Sequence, residues 1–170
     1  MIWGISAKMN VAEITVLGVG NILLGDEGVG VRAVEQLQLS GEFSDTVQLI
    51  DGGTLGMELL RFLKGTQRLL LLDAVQGDQV PGTLYCLRNS EVEAHLCGAL
   101  SVHDMGLKDV LAVLKLLEAP VQEIVLLGLQ PQTLAVGMEL SAPVATALPN
   151  LVQAACVQVK QWQTEVARHD

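Results

Sequence analysis

Residues 16–30, with the sequence VLGVGNILLGDEGVG, decide the fold of this 170-residue chain. An apolar run ends in glycines, and after a short loop two adjacent carboxylates, Asp26 and Glu27, stand where a helix should begin. A glycine loop between a first strand and a helix usually binds phosphate. Two acids at the mouth of the helix would repel phosphate, so we interpret this loop as one that serves a cation.

Along the rest of the chain, short apolar runs alternate with segments of helical periodicity. The runs predict buried strands at residues 13–18, 46–50, 68–72, 83–87 and 123–129, the fourth as an antiparallel edge strand. The periodic segments predict helices at residues 27–39, 57–63 and 105–117 and a long one starting at residue 141. We expect Asp26 to cap the first helix, Ser141 to cap the last and Pro149 to kink or split it. Residues 89–102 lack a clear pattern, and we predict an irregular excursion there.

This alternation predicts an α/β fold: a three-layer sandwich with a mostly parallel twisted sheet of about five strands and helices on both faces. In such folds ligands bind at the carboxyl ends of the strands, where neighbouring connections leave in opposite directions. If the strand order is 2-1-3, this crevice lies between the first and third strands. The length predicts a single domain over residues 1–170, with residues 1–12 as an N-terminal extension and 13–168 as the folded domain. Met9 is an alternative start.

The composition argues against some classes of binding partner and predicts the cellular compartment. The net charge is −9 with only ten Lys and Arg residues, which argues against nucleic-acid binding. Three cysteines, an odd number with no CxxC pair, indicate reduced thiols and a cytoplasmic location. No apolar run reaches the length of about 18 residues that crosses a membrane. We therefore expect no nucleic acid and no membrane among the partners.

Four polar residues stand where predicted strands give way to loops or where a helix begins: Glu27, Asp51, Asp73 and His103. Two carboxylates and an imidazole that converge on a crevice form an open site for a divalent transition metal, because three ligands leave positions for water or substrate. These ligand types alone do not select nickel over zinc.

Each candidate also has a structural interpretation. Asp26 and Glu27 are residues that helix caps prefer, Asp73 could cap the next turn, and Asp104 could place His103 beside a capped helix start. The pair of Gly18 and Gly20 lacks the third glycine of a dinucleotide-binding loop, although Asp51 stands near the position of a ribose-binding acid. The run of His95, Cys97 and His103 could bind zinc, but no second ligand pair accompanies it.

The segments VLGVGNILLGDEGVGVRAVEQL, LIDGGTLGMELL, LLLLDAVQ, PGTLYCLR and SVHDMGLKDVL occur in this order. Together they resemble the maturation endopeptidases of nickel-iron hydrogenases over residues 14–159, and the combination of GNxLxGDEGVG with DGGT is specific. The resemblance implies an endopeptidase that removes the C-terminal peptide from the nickel-loaded precursor of the hydrogenase large subunit.

The resemblance also implies roles for single residues. The metal ligands of the family fall on Glu27, Asp73 and His103, and Asp51 falls on a further acidic position with a supporting or catalytic role. Nickel is then supplied by the substrate, and the enzyme is expected to be a cytoplasmic monomer that holds no metal when alone. A non-enzymatic, nickel-sensing chaperone of the precursor is the alternative, and a nucleotide-binding module is a third hypothesis.

Overall fold

The structure, a computed structural model, describes residues 12–98 and 102–168, and for residues 102–105 it describes the backbone alone. The described residues contain five strands: β1 (Ile14–Val19), β2 (Val47–Gly53), β3 (Arg68–Ala74), β4 (Leu84–Arg88) and β5 (Glu123–Leu129). The helices are α1 (Val29–Ser40), α2 (Leu60–Leu63), α3 (Ser90–Gly98), α4 (Val102–Leu116) and α5 (Ala142–Val166). Two 3₁₀ turns, Gly25–Gly28 and Met57–Leu59, precede α1 and α2.

The strands form one sheet in the order β2-β1-β3-β5-β4. β1 pairs in parallel with β2 and β3, and β3 pairs in parallel with β5. β4 runs antiparallel to β5 at the edge. The predicted α/β class, the mostly parallel five-stranded sheet and the 2-1-3 order at its centre are confirmed. All six residues of β1 are buried, as expected for a strand covered on both faces.

Helices cover both faces of the sheet and create two apolar cores. On one face α1 and α5 pack on the strands, with Leu37 and Trp162 fully buried. On the other face α2, α3 and α4 contribute residues such as Leu63 and Leu114, which are also fully buried. The three-layer arrangement is therefore confirmed. The predicted N-terminal extension falls almost entirely on residues 1–11, which lie outside the described part, and it stays a prediction.

The prediction of an irregular excursion at residues 89–102 is wrong, because α3 occupies residues 90–98. Asn89 ends β4 with a φ of 45°, and its backbone carbonyl accepts the N–H of Glu93 at 3.0 Å as the helix begins. Val92 and Leu96, four residues apart, are both buried against the second core. The apolar face is only these two residues wide, which is too short for a periodicity to stand out.

Two further predictions about helices need correction. Asp104 lies within α4, which is described from Val102 onward, and not at its N-cap. α5 continues through Pro149, so the expectation that the proline splits the helix is wrong, while a kink at Pro149 stays a prediction. Leu148 and Leu151, on either side of the proline, are both buried in the core of α1 and α5, and this packing holds the two halves together. Among the described residues, no helix is both long and apolar enough to span a membrane.

Candidate functional site

The carboxyl ends of β1 and β3 lie side by side, and the loop after β1 passes over them. β1 connects through α1 to β2 on one side, while β3 connects to strands on the other side, so this edge is the switch point of the sheet. The 3₁₀ turn Gly25–Gly28 and the start of α1 sit directly above it.

Gly30 explains why the helix can approach so closely. A Cβ atom at this position would lie 1.9 Å from the carbonyl oxygen of Leu72 and 2.5 Å from that of Val19. Backbone atoms of α1 therefore rest on the ends of β3 and β1, and a larger residue would push the helix away. The glycines of this loop serve close packing of backbone on backbone.

The amides of the loop are occupied by the protein itself. Gly20 N–H donates to Gly53 O at 2.9 Å, and Gly25 N–H donates to Gly137 O at 2.7 Å. Backbone carbonyl groups also accept the N–H groups of Leu24, Asp26 and Glu27, and the side-chain oxygen of Asn21 accepts that of Leu23 at 2.9 Å. A phosphate cradle needs several such groups turned toward the ligand. The loop is not built as one, which argues against the nucleotide-binding hypothesis.

Asp26 does not cap the first helix, contrary to the prediction. Neither the 3₁₀ turn nor α1 has a side-chain cap, and Asp26 is fully buried within the turn. Its carboxylate accepts the backbone N–H groups of Gln132 at 2.8 Å, Thr133 at 3.1 Å and Ser141 at 2.7 Å. The hydroxyl of Ser141 donates to it at 2.8 Å. Asp26 thus joins the glycine loop to the segment that leads into α5.

The same contacts set the ionisation of Asp26. Burial raises the pKa of its carboxyl, but the hydrogen bonds from Ser141, Gln132 and Thr133 outweigh burial and hold the pKa below its ordinary value. Ser141 stands at the N-cap of α5 as predicted, yet its hydroxyl serves Asp26 instead of the helix. Sequence reasoning missed this linkage, since the partners lie more than 100 residues apart in the chain.

Glu27 and Asp73 both border Gly20 at the switch point. A Cβ atom on Gly20 would lie 1.8 Å from the backbone oxygen of Glu27 and 3.6 Å from Asp73 Oδ1. Glu27 is half-buried, whereas Asp73 is 1% exposed at the end of the fully buried run of β3. Asp73 Oδ1 accepts the N–H of Ala74 at 2.7 Å. A carboxylate at the carboxyl end of a strand in the crevice is one of the ligands that divalent transition metals bind.

His103 lies in the first turn of α4, where the structure describes the backbone but not the side chains. Gly106, one turn later, packs on Gly56, since a Cβ on Gly106 would lie 2.8 Å from Gly56 Cα. Gly56 follows closely on the carboxyl end of β2. The start of α4 therefore lies at the same edge of the sheet as Glu27 and Asp73. Asp73 lies two residues after Leu71 and four after Leu69, so its side chain is on the same face of β3 as theirs, the face that α4 covers.

Asp51 stands apart from this group. It lies near the end of β2, aligned with Gly18 of β1, and its side chain is exposed. β1 separates it from β3, so two strand spacings, about 10 Å, lie between the backbones of Asp51 and Asp73. The structure places Asp51 at the same edge of the sheet but does not bring it beside Glu27 and Asp73.

Among the side chains that the structure describes, which do not include that of His103, no three His, Cys, Asp or Glu residues lie close enough together to hold a metal ion. The run of His95 and Cys97 falls in α3 at a spacing of two residues, where side chains point to different faces of a helix. This geometry argues against a zinc site built on that pair.

Comparisons with known proteins give a consistent result. The family described as "Hydrogenase maturation protease" matches residues 31–158. The hydrogenase expression/formation protein HupD of Bradyrhizobium diazoefficiens is 37% identical over 159 residues, which is 92% of this chain and 82% of the relative. The hydrogenase 2 maturation protease of Escherichia coli is 42% identical over 123 residues, which is 72% of this chain and 75% of the relative.

Solved structures agree with the sequence relatives. The hydrogenase maturating endopeptidase HybD from Escherichia coli superposes with a TM-score of 0.84 at 36% identity, covering 88% of this chain and 93% of that one. The maturation protease HybD from Thermococcus kodakarensis gives a TM-score of 0.71 at 28% identity, covering 84% of this chain and 96% of that one. The similarity thus extends across the sheet, both helical layers and the switch point.

Proposed function

Because the chain belongs to the hydrogenase maturation protease family, we propose that it removes the C-terminal peptide from the nickel-loaded precursor of a nickel-iron hydrogenase large subunit. The chain is an endopeptidase with a role in hydrogenase maturation. The cleaved partner, the dependence on nickel, the action as a monomer and the cytoplasmic location are part of the proposal.

The observation that carries the proposal is the buried carboxylate of Asp73 beside Glu27 at the switch point. We propose that Glu27, Asp73 and His103 bind the nickel ion that the precursor brings with it. Two carboxylates and an imidazole suit a divalent transition metal, and three protein ligands leave positions for groups of the substrate. The nickel of the substrate then serves as the recognition element, so that an unloaded precursor is ignored.

Nickel held in this way would polarise the scissile carbonyl or activate a water molecule for attack. The chain itself contributes the fixed carboxylates, one of which can act as a base if water is the nucleophile. We propose that Asp51 supports the reaction without binding nickel, because it lies at the same edge of the sheet but is separated from Asp73 by β1. The chaperone hypothesis gains no support, since the matching family and the solved structures are named as proteases.

The test uses purified nickel-loaded precursor and three variants. Glu27→Gln, Asp73→Asn and His103→Ala should each lower the rate of processing by at least about a hundredfold, because each removes one ligand. Mass spectrometry of the precursor measures the product. Circular dichroism of each variant should match that of the wild type, which separates a lost ligand from a lost fold.

Glu35→Gln is the matched control, because Glu35 is a half-buried residue of α1 whose carboxylate pairs with Arg32 at 3.3 Å. It should process the precursor like the wild type. If the three ligand variants retained full activity, the ligand assignment would be refuted. Asp51→Asn, measured in the same series, should reduce the rate without abolishing it.

A further inference from the structure

An exposed apolar surface adjoins the candidate site. Four residues form it, and we call them the apolar rim: Leu23, Leu134, Val136 and Met138. Their exposed fractions are 54%, 41%, 89% and 56%. Contiguous apolar groups at the surface of a soluble domain mark binding surfaces more often than chance allows.

The apolar rim is built from two chain segments that lie side by side. Leu24 and Gly137 form a parallel bridge. Gly137 N–H donates to Leu23 O at 2.9 Å, and Gly25 N–H donates to Gly137 O at 2.7 Å. Below them, the buried carboxylate of Asp26 holds the loop through four hydrogen bonds. The exposed apolar side chains therefore stand on an anchored platform, which lowers the entropy lost when a partner binds.

The composition of the loop fits the centre of a protein interface. Residues 131–138, PQTLAVGM, contain no charged side chain, in a chain in which 17% of residues are charged. Interface cores are depleted of charge and enriched in methionine, whose flexible thioether adapts to a partner. A surface that served only solubility would carry charges here.

The position of the apolar rim indicates which partner binds it. Gly25 N–H donates to Gly137 O at 2.7 Å and Asp26 N–H donates to Thr133 O at 3.1 Å, so the segment that carries the rim lies against the turn Gly25–Gly28, which contains Glu27. A nickel ion lies only about 2 Å from its ligands, so a protein that delivers nickel to Glu27 must press its own surface against the neighbouring residues. We propose that the apolar rim is the docking surface for apolar side chains of the large-subunit precursor around its nickel site. This inference rests on the proposed function.

The test measures binding and cleavage separately. The dissociation constant of purified nickel-loaded precursor is measured by biolayer interferometry for the wild type, Val136→Asp and Met138→Asp, and kcat and KM are measured in parallel. Both variants should weaken binding by about tenfold or more and raise KM to match, while kcat stays within about twofold.

Leu39→Asp is the matched control, because Leu39 is 87% exposed at the opposite end of α1. It should leave the dissociation constant and KM unchanged. Unaltered binding in both rim variants would overturn the proposal, as would an equal loss in Leu39→Asp. If the wild type bound the precursor without shortening it, the proposed function would fail, and the binding constants would still decide whether the rim is the docking surface.

Discussion

Replacing Asp26 with asparagine should destabilise the protein strongly, although it changes only one carboxylate oxygen into an amide nitrogen. The native carboxylate accepts four hydrogen bonds of 2.7–3.1 Å, three from backbone N–H groups and one from a hydroxyl. Asparagine keeps one acceptor oxygen and directs its own NH₂ group toward donors. The remaining bonds also lose the charge that strengthens them. With the amide oxygen at the position of Oδ2, the NH₂ group faces the backbone N–H of Ser141, which loses its acceptor. This unpaired donor and the three weakened bonds together predict a loss of about 2–4 kcal/mol in the free energy of unfolding.

Urea denaturation at pH 7 measures this loss. With a slope of about 2 kcal/mol/M, the midpoint should fall by about 1–2 M while the slope stays constant. Asp78→Asn, at an exposed position in the turn after β3, is the control and should change stability by less than about 0.5 kcal/mol. A loss below about 1 kcal/mol in Asp26→Asn would refute the idea that Asp26 anchors the loop.

The pH dependence of the same effect has a defined sign. The pKa of Asp26 is lowered in the folded state from its ordinary value of 3.8, so the unfolded chain takes up the proton first as the pH falls. The stabilisation is therefore complete above about pH 5 and declines as the pH drops below 3.8 toward the folded pKa. The difference in stability between the wild type and Asp26→Asn should shrink over this window. A difference that is constant from pH 7 to pH 3 would contradict the argument.

Two further predictions concern packing and thiol chemistry. Gly30→Ala should lower the free energy of unfolding by about 3 kcal/mol or prevent folding, because its Cβ would lie 1.9 Å from a backbone oxygen of β3. Gly98→Ala is the comparison: its Cβ meets nothing within 4 Å, so it should stabilise α3 by up to about 1 kcal/mol. Similar urea midpoints for the two variants would contradict this account. Burial and a hydrogen bond to a carboxylate raise the pKa of Cys156 to about 11, so iodoacetamide at pH 8 should label the exposed Cys86 and Cys97 first. Peptide mass spectrometry checks the order, and equal labelling of Cys156 in the folded protein would refute it.

The sequence predicted the sheet well where burial is complete. The run at residues 123–129 matches β5 residue for residue, because a strand buried on both faces needs an uninterrupted apolar sequence. Right-handed crossovers predicted a mostly parallel sheet, and the order of β2, β1 and β3 that was assumed in order to locate the crevice is the one that the structure has. α3 was missed, since only Val92 and Leu96 face the core and a left-handed Asn89 starts it.

The candidate site could also be predicted only in part. Glu27 and Asp73 could be placed at one edge from the chain alone, because parallel strands bring their carboxyl ends together. The role of Asp26 could not, since its partners Gln132 and Ser141 lie over 100 residues away and meet it only through the tertiary fold. In the sequence, the pair of Asp26 and Glu27 is typical of a helix cap, although Asp26 is buried and Glu27 is half-buried. The apolar rim could not be predicted from the sequence for the same reason, because its residues come from two loops that are distant in the chain and meet at the bridge between Leu24 and Gly137.

If nickel is the recognition element, the enzyme should cleave only precursor that carries nickel. The intact mass of purified large-subunit precursor after incubation with this protein tests this, with nickel-loaded and nickel-free precursor in parallel. The loaded precursor should lose its C-terminal peptide, while the nickel-free precursor should keep its full mass. Equal cleavage of both forms, or no cleavage of the loaded form, would contradict this expectation.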